Sequence, residues 1–236
     1  MTQKASAPTD SGPNRLFLLA IGALVVVGLA VVAIVAGSRG DDGDVAAGSG
    51  DAGSGGDVVL DGQETADIAV AGDALPPLPE GVRIADATND PAYGLAAPTL
   101  SGTGFDGGEV VIEDDGRPKA IYFLAHWCPH CQAEVPTIQE LIDEGKLPAD
   151  LDVYAVSTAV DRGRGNYPPS SWLQDEGFTP TVIRDDDAVS ALAAYGASSF
   201  PFAVYVNQDN QVVARTAGSM EKGQLEQLWQ ATATAP

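Results

Sequence analysis

The run YFLAHWCPHCQAEVP, residues 122–136, joins an apolar strand pattern directly to a helix pattern, with both cysteines of the chain at the junction. Few architectures accept that join. A buried strand feeding a helix needs the helix to pack back across a sheet and needs neighbouring strands on its edges. Cys128 stands where the helix begins, beside unpaired backbone N–H groups and the positive end of the helix dipole, a setting that favours an anion. A thiolate is such an anion and is the reactive form of cysteine. Cys131 follows one helical turn later, close enough to form a disulfide with Cys128 and to resolve a mixed disulfide formed there. His130 and Pro129 lie between them as the residues that tune thiol acidity, since a protonated His130 stabilises a neighbouring thiolate.

Two other readings of the pair stay open. A disulfide closing so short a loop returns little entropic stabilisation, which argues against a purely structural staple. Structural zinc needs a second, separated pair of ligands, and the chain has no further cysteine; copper held by the two sulfurs with His126 or His130 is the remaining metal alternative. His126 by itself reads as a partly exposed flank of the site, and no resident metal or cofactor is expected beyond the cysteine pair.

The rest of the chain sets the compartment and the domain limits. Residues 16–36, LFLLAIGALVVVGLAVVAIVA, carry no charge. As a helix they span about 31 Å, the thickness of a bilayer core. Lys4 and Arg15 precede them, while Arg39 and then Asp41, Asp42 and Asp44 follow. The expected topology is therefore a cytoplasmic tip (1–15), a single transmembrane helix (16–36) and an extracytoplasmic remainder. The run is long for a cleaved signal peptide, and an anchor is preferred. Residues 37–81 are rich in Gly, Asp and Pro and read as a flexible tether to a folded domain over 82–236. With 33 Asp and Glu against 12 Lys and Arg, the net charge of -21 argues against nucleic acid as a partner. An exposed, soluble domain explains the acidity without an acidic-partner story.

Within 82–236, strands are predicted at 109–112, 120–124, 151–158, 181–183, 202–206 and 211–216. Helices are predicted from Cys128 to about Glu144, near Trp172–Glu176, after a cap at Asp187 with a stop at Gly196, and after a cap at Ser219. The alternation indicates an α/β fold, a three-layer α/β/α sandwich around a central mixed sheet.

FLAHWCPHC…EVP, PFAVYVNQDNQVVARTAG (201–218) and the order of elements resemble a thioredoxin fold, in particular the TlpA/ResA-like group of membrane-anchored thiol-disulfide oxidoreductases. The resemblance runs over roughly 85–229. It implies Cys128 as nucleophile and Cys131 as resolving thiol, a tolerated Pro136 within the helix, and a cis Pro201 facing the cysteines. Phe200 would offer its backbone to an extended substrate, and Trp127 would pack beside the disulfide. Partners implied are exported thiol or disulfide proteins, the membrane, and an unidentified partner that regenerates the pair. Two departures stand out. Tyr122 occupies the position of thioredoxin's buried acid, and Glu134, which reads as a solvated helix residue, is the nearby glutamate. The Pro129–His130 dipeptide resembles that of DsbA-type oxidases. It tilts the expectation toward an oxidant of exported proteins; the group likeness favours a reductant serving cytochrome c maturation.

Overall fold

In the computed structural model, residues 60–236 are described. The expected cytoplasmic tip and transmembrane helix, and most of the tether, lie outside them. Among the described residues no helix is long and apolar enough to cross a membrane.

Thirteen elements follow in order: β1 (Ala69–Ala71), β2 (Ile84–Ala85), β3 (Thr99–Thr103), β4 (Glu109–Ile112), β5 (Lys119–Leu124), α1 (Pro129–Asp143), β6 (Asp152–Ser157), α2 (Pro169–Asp175), β7 (Thr181–Arg184), α3 (Ser190–Ala194), β8 (Phe202–Val206), β9 (Val212–Ala217) and α4 (Lys222–Ala233). Six strands form the main sheet in the order β2-β9-β8-β5-β6-β7. β5, β6 and β7 run parallel, while β8, β9 and β2 pair antiparallel, so the sheet is mixed.

β5 sits at the centre because every one of its residues is buried. Side chains alternate across a sheet. Ala120, Tyr122 and Leu124 therefore meet one apolar cluster with Val135, Ile138 and Leu141 of α1 and Leu225 and Trp229 of α4. Ile121 and Phe123 point the other way, into a cluster with Leu100 of β3, Ile112 of β4 and Ala191 and Ala194 of α3. This is the thioredoxin-like α/β/α sandwich, with a small antiparallel sheet β1-β3-β4 added on the second face. The cluster memberships follow the two-residue period so closely because a one-residue slip would exchange the faces.

Three local expectations need correction. Residues 60–81 do not continue the tether. Leu75 and Leu78 are buried in the second cluster, Asp61 pairs with Arg184 at 2.8 Å, and Glu64 accepts hydrogen bonds from the Ser170 N–H and hydroxyl at 3.0 and 2.7 Å. Composition misled because a few apolar anchors, the buried Glu64 carboxylate and the Asp61–Arg184 pair hold this Pro-rich segment. Its carbonyls come so near Gly196 (φ +65°) that a Cβ there would lie 2.5 Å from the Pro76 oxygen. Gly196 thus serves both as helix stop and as close-packing point. Second, α3 is not capped by Asp187. Asp186 accepts from the Ser190 N–H at 2.9 Å, and Asp185 accepts from the Ala191 N–H at 2.9 Å. Third, α4 begins from a capping box of Glu221 and Gln224, two residues beyond Ser219.

Arg215 of β9 and Asp90 form a fully buried ion pair, with Nη2–Oδ1 2.5 Å and Nε–Oδ2 2.8 Å. A third donor, Nη1, reaches the Pro76 carbonyl at 2.8 Å. The guanidinium therefore ties β9, the 86–94 turn region and residues 75–78 together.

Candidate functional site

The end of β5 and the start of α1 bring the cysteines to the top of the sheet. Cys128 is the N-cap of α1, with extended backbone (φ -83°, ψ 120°), and Pro129 takes the first helical position, where its missing N–H leaves nothing unpaired. The Cys128 thiol donates to the Phe200 carbonyl at 3.6 Å. Cys131 is completely buried one turn later and accepts from the Ala125 N–H at 3.5 Å. Both are free thiols. Burial pushes the Cys131 thiol well above its ordinary range. The neighbouring Cys128 and Glu134 charges add to that shift, and the Ala125 hydrogen bond opposes it.

The Phe200–Pro201 peptide bond is cis, and Pro201 is buried before β8. Trp127 meets Phe200 edge to face, with centroids 5.7 Å apart, and its Nε1–H donates to the Ala159 carbonyl at 2.7 Å. One face of the Trp127 ring is already covered by the Arg164 guanidinium, 4.0 Å from the centroid. Cys128, Cys131, Trp127, Phe200 and Pro201 therefore converge. Pro129 and His130 are exposed on the rim.

Two residues depart from their sequence reading. His126 is buried, not a partly exposed flank. Its Nδ1 donates to the Gly165 carbonyl at 2.8 Å, and its Nε2 accepts from the Asp161 N–H at 3.1 Å. Both ring nitrogens are thereby used to hold the loop at 159–168. A copper ligand needs a free imidazole nitrogen, so His126 is withdrawn from the copper alternative, which would fall to His130 with the two sulfurs. Among the described residues no three His, Cys, Asp or Glu side chains cluster as a metal site.

Glu134 is the second departure. It is buried, and its Oε2 accepts from the Met220 N–H at 2.8 Å. Spacing alone puts residues i and i+3 on one helix face, so Glu134 lies on the Cys131 side of α1. Burial raises its carboxyl to about 7, against a lowering from the Met220 hydrogen bond and the Arg83 charge. No apolar period marks it, because the helix meets α4 and the 218–221 turn at that point; the only signal in the sequence is its spacing from Cys131.

A buried glutamate of this kind has a stability signature. Its folded-state value lies above the unfolded one, so the folded chain holds the proton more tightly. The contribution is complete below pH 4.5 and is lost as pH rises toward 7, a change of about 3 kcal/mol. In urea titrations, the stability of the wild type relative to Glu134→Gln is expected to fall by that amount across this window. A flat difference would mean that the carboxyl is solvated.

The Tyr122 hydroxyl, in the place of a buried acid, accepts from Trp229 Nε1–H at 2.8 Å and lies 3.4 Å from the Tyr205 hydroxyl. Burial holds its phenol neutral, well above the usual range. Glu134, not position 122, is therefore the ionisable carboxyl behind the cysteines.

Among known proteins, ResA of Bacillus thuringiensis (strain Al Hakam), a thiol-disulfide oxidoreductase, is 25% identical over 135 residues, covering 56% of this chain and 74% of its own. The soluble secreted antigen MPT53 of Mycobacterium tuberculosis (strain ATCC 25618 / H37Rv) is 36% identical over 95 residues, covering 40% of this chain and 49% of its own. The chain thus spans about half the length of that relative. The crystal structure of a DsbF homologue from Corynebacterium diphtheriae matches with a TM-score of 0.54 over 68% of this chain and 99% of that one; at 16% identity the likeness concerns the fold alone. The Redoxin family matches residues 86–230, which take in β3 to β9, both cysteines and the first three-quarters of α4, and the chain belongs to the Redoxin family.

Proposed function

We propose that this protein is an extracytoplasmic, membrane-anchored thiol-disulfide oxidoreductase that acts as a reductant of exported disulfides. The observation that carries the reading is the arrangement of Cys128 at the N-terminus of α1, buried Cys131 one turn on, and buried Glu134 behind it. Similarity to ResA and to a secreted antigen supports the compartment and the class of chemistry. The apolar run at 16–36 supplies the anchor.

The steps balance as follows. The Cys128 thiolate attacks a substrate disulfide, forming a mixed disulfide and expelling one substrate thiolate. Glu134, as the carboxylate, takes the Cys131 proton. The Cys131 thiolate then attacks the Cys128 sulfur, the second substrate thiolate leaves, and the protein is oxidised to the Cys128–Cys131 disulfide. Two electrons pass to the substrate, and an external dithiol must return them. Trp127, Phe200 and Pro201 present the substrate segment, with the Phe200 carbonyl at the reacting sulfur.

The oxidant reading rested on His130 beside Cys128. His130 is exposed, where water and salt screen its charge, so its leverage on the thiolate is small. Glu134 serves proton transfer at the resolving thiol in either direction; the reductive sense rests on the group resemblance, which implies disulfides formed from cytochrome c type thiols among the substrates. The direct test is turnover of a disulfide-linked protein by the reduced full chain supplied with an external dithiol. Reduction that rises with pH through about 7 is expected, and Glu134→Gln should slow it about a hundredfold and remove that inflection. A rate independent of Glu134 would remove this step from the scheme.

A further inference from the structure

We propose that Arg162 and Arg164 form an acidic-peptide recognition element beside the reactive cysteine, selecting extended substrate segments whose cysteine is flanked by Asp or Glu. The inference rests on the redox reading above for the nature of the substrate, and on charge and geometry for its sign.

In a chain with 33 carboxylates, a cation left without a carboxylate is a notable choice. Among the described residues Arg117, Lys119, Lys146, Arg184, Arg215 and Lys222 each hold one. Arg83 gives its Nη2 to the Ser219 carbonyl at 2.6 Å. Arg162 and Arg164 alone have neither an ion pair nor a side-chain hydrogen bond among those residues, and both are exposed. Asp161, the carboxylate of the loop itself, is turned to the loop's own backbone, accepting from the Gly163 N–H at 2.9 Å.

Their position is built. The loop is fastened by both nitrogens of His126 and by the Trp127 indole N–H on Ala159. The Arg164 guanidinium carbon lies over Trp127, 4.0 Å from the ring centroid, Trp127 meets Phe200 at 5.7 Å, and the Phe200 carbonyl meets the Cys128 sulfur at 3.6 Å. A guanidinium held over an aromatic ring with no hydrogen-bond partner keeps N–H groups available to bind a carboxylate bidentately. A peptide crossing Cys128 along Phe200 therefore passes a positive rim. Elsewhere the acidic surface repels such a segment, so the two arginines confine productive approach to the site.

The test uses the reduced full chain in detergent and two peptides. Each holds one cysteine as the mixed disulfide with 2-mercaptoethanol, flanked by aspartates in one peptide and by lysines in the other. At an ionic strength of about 0.15 M the Debye length is about 8 Å, so distant carboxylates are screened and adjacent groups are felt. The aspartate peptide is expected to be reduced about tenfold faster than the lysine peptide. The ratio should collapse toward one in the double variant Arg162→Gln, Arg164→Gln and should largely survive Arg164→Lys, which keeps the charge. A wild-type ratio at or below one, or a ratio unchanged in the double variant, overturns the proposal. If neither peptide is reduced, the redox reading is what fails. The surface is then judged by tryptophan fluorescence with the aspartate peptide carrying serine for cysteine. Binding lost in the double variant upholds the recognition element, and absence of binding overturns it.

Discussion

Cys131→Ser should halt the reaction at a covalent adduct, with turnover falling to the uncatalysed background and mixed disulfide accumulating on Cys128. The physical ground is the separation of roles. Cys128 keeps a 7% exposure with its sulfur on the Phe200 carbonyl, whereas Cys131 is wholly buried and can reach only the Cys128 sulfur side of an adduct. Removing it leaves attack intact and resolution absent. Cys128→Ser should abolish both turnover and adduct, because a serine hydroxyl is not ionised at neutral pH and Cys131 is out of reach of a protein substrate. Non-reducing electrophoresis with a disulfide-linked protein reads both outcomes. An adduct retained on Cys131 in Cys128→Ser would contradict this assignment of roles.

The largest expected effect on stability lies away from the site. Asp90→Ala should lower unfolding free energy by about 4 kcal/mol, because it leaves the fully buried Arg215 guanidinium without its carboxylate. For a domain of this size that is a fall of roughly 10 °C in Tm. The guanidinium also holds the Pro76 carbonyl, so the loss should loosen residues 75–78 together with β9. Replacing both partners, Asp90→Leu with Arg215→Met, should recover much of the loss, since a buried ion pair exchanged for apolar groups is often near neutral. Thermal unfolding followed by circular dichroism decides it. A loss below 1 kcal/mol for the single variant would mean that water reaches the pair.

Much of this architecture was legible because β5 after Lys119 and all of β8 are apolar and because Leu225, Leu228 and Trp229 of α4 have helical spacing. The cysteine pair, Pro136 within α1 and the cis bond before Pro201 stand in the structure where residue pattern or group resemblance led one to look. What stayed hidden depends on contacts distant in sequence. Glu134 reads as an ordinary helix carboxylate until the Met220 turn closes over it. His126 reads as a site flank until the loop around Gly165 takes both its nitrogens. Residues 60–81 look like linker because their anchors, Arg184, Ser170 and Gly196, lie more than a hundred positions away. Short strands such as β1 and β2 carry too few residues for a period to show.

The central claim is a dithiol that gives electrons to exported disulfides, and the reduction potential of the Cys128–Cys131 couple tests it most directly. Equilibration of the full chain with dithiothreitol and glutathione buffers, read by the fluorescence of nearby Trp127, provides the value. A potential near or below about -270 mV is expected for a reductant. A value near about -120 mV, the strong-oxidant end of the scale, or no reversible couple at all, would contradict it.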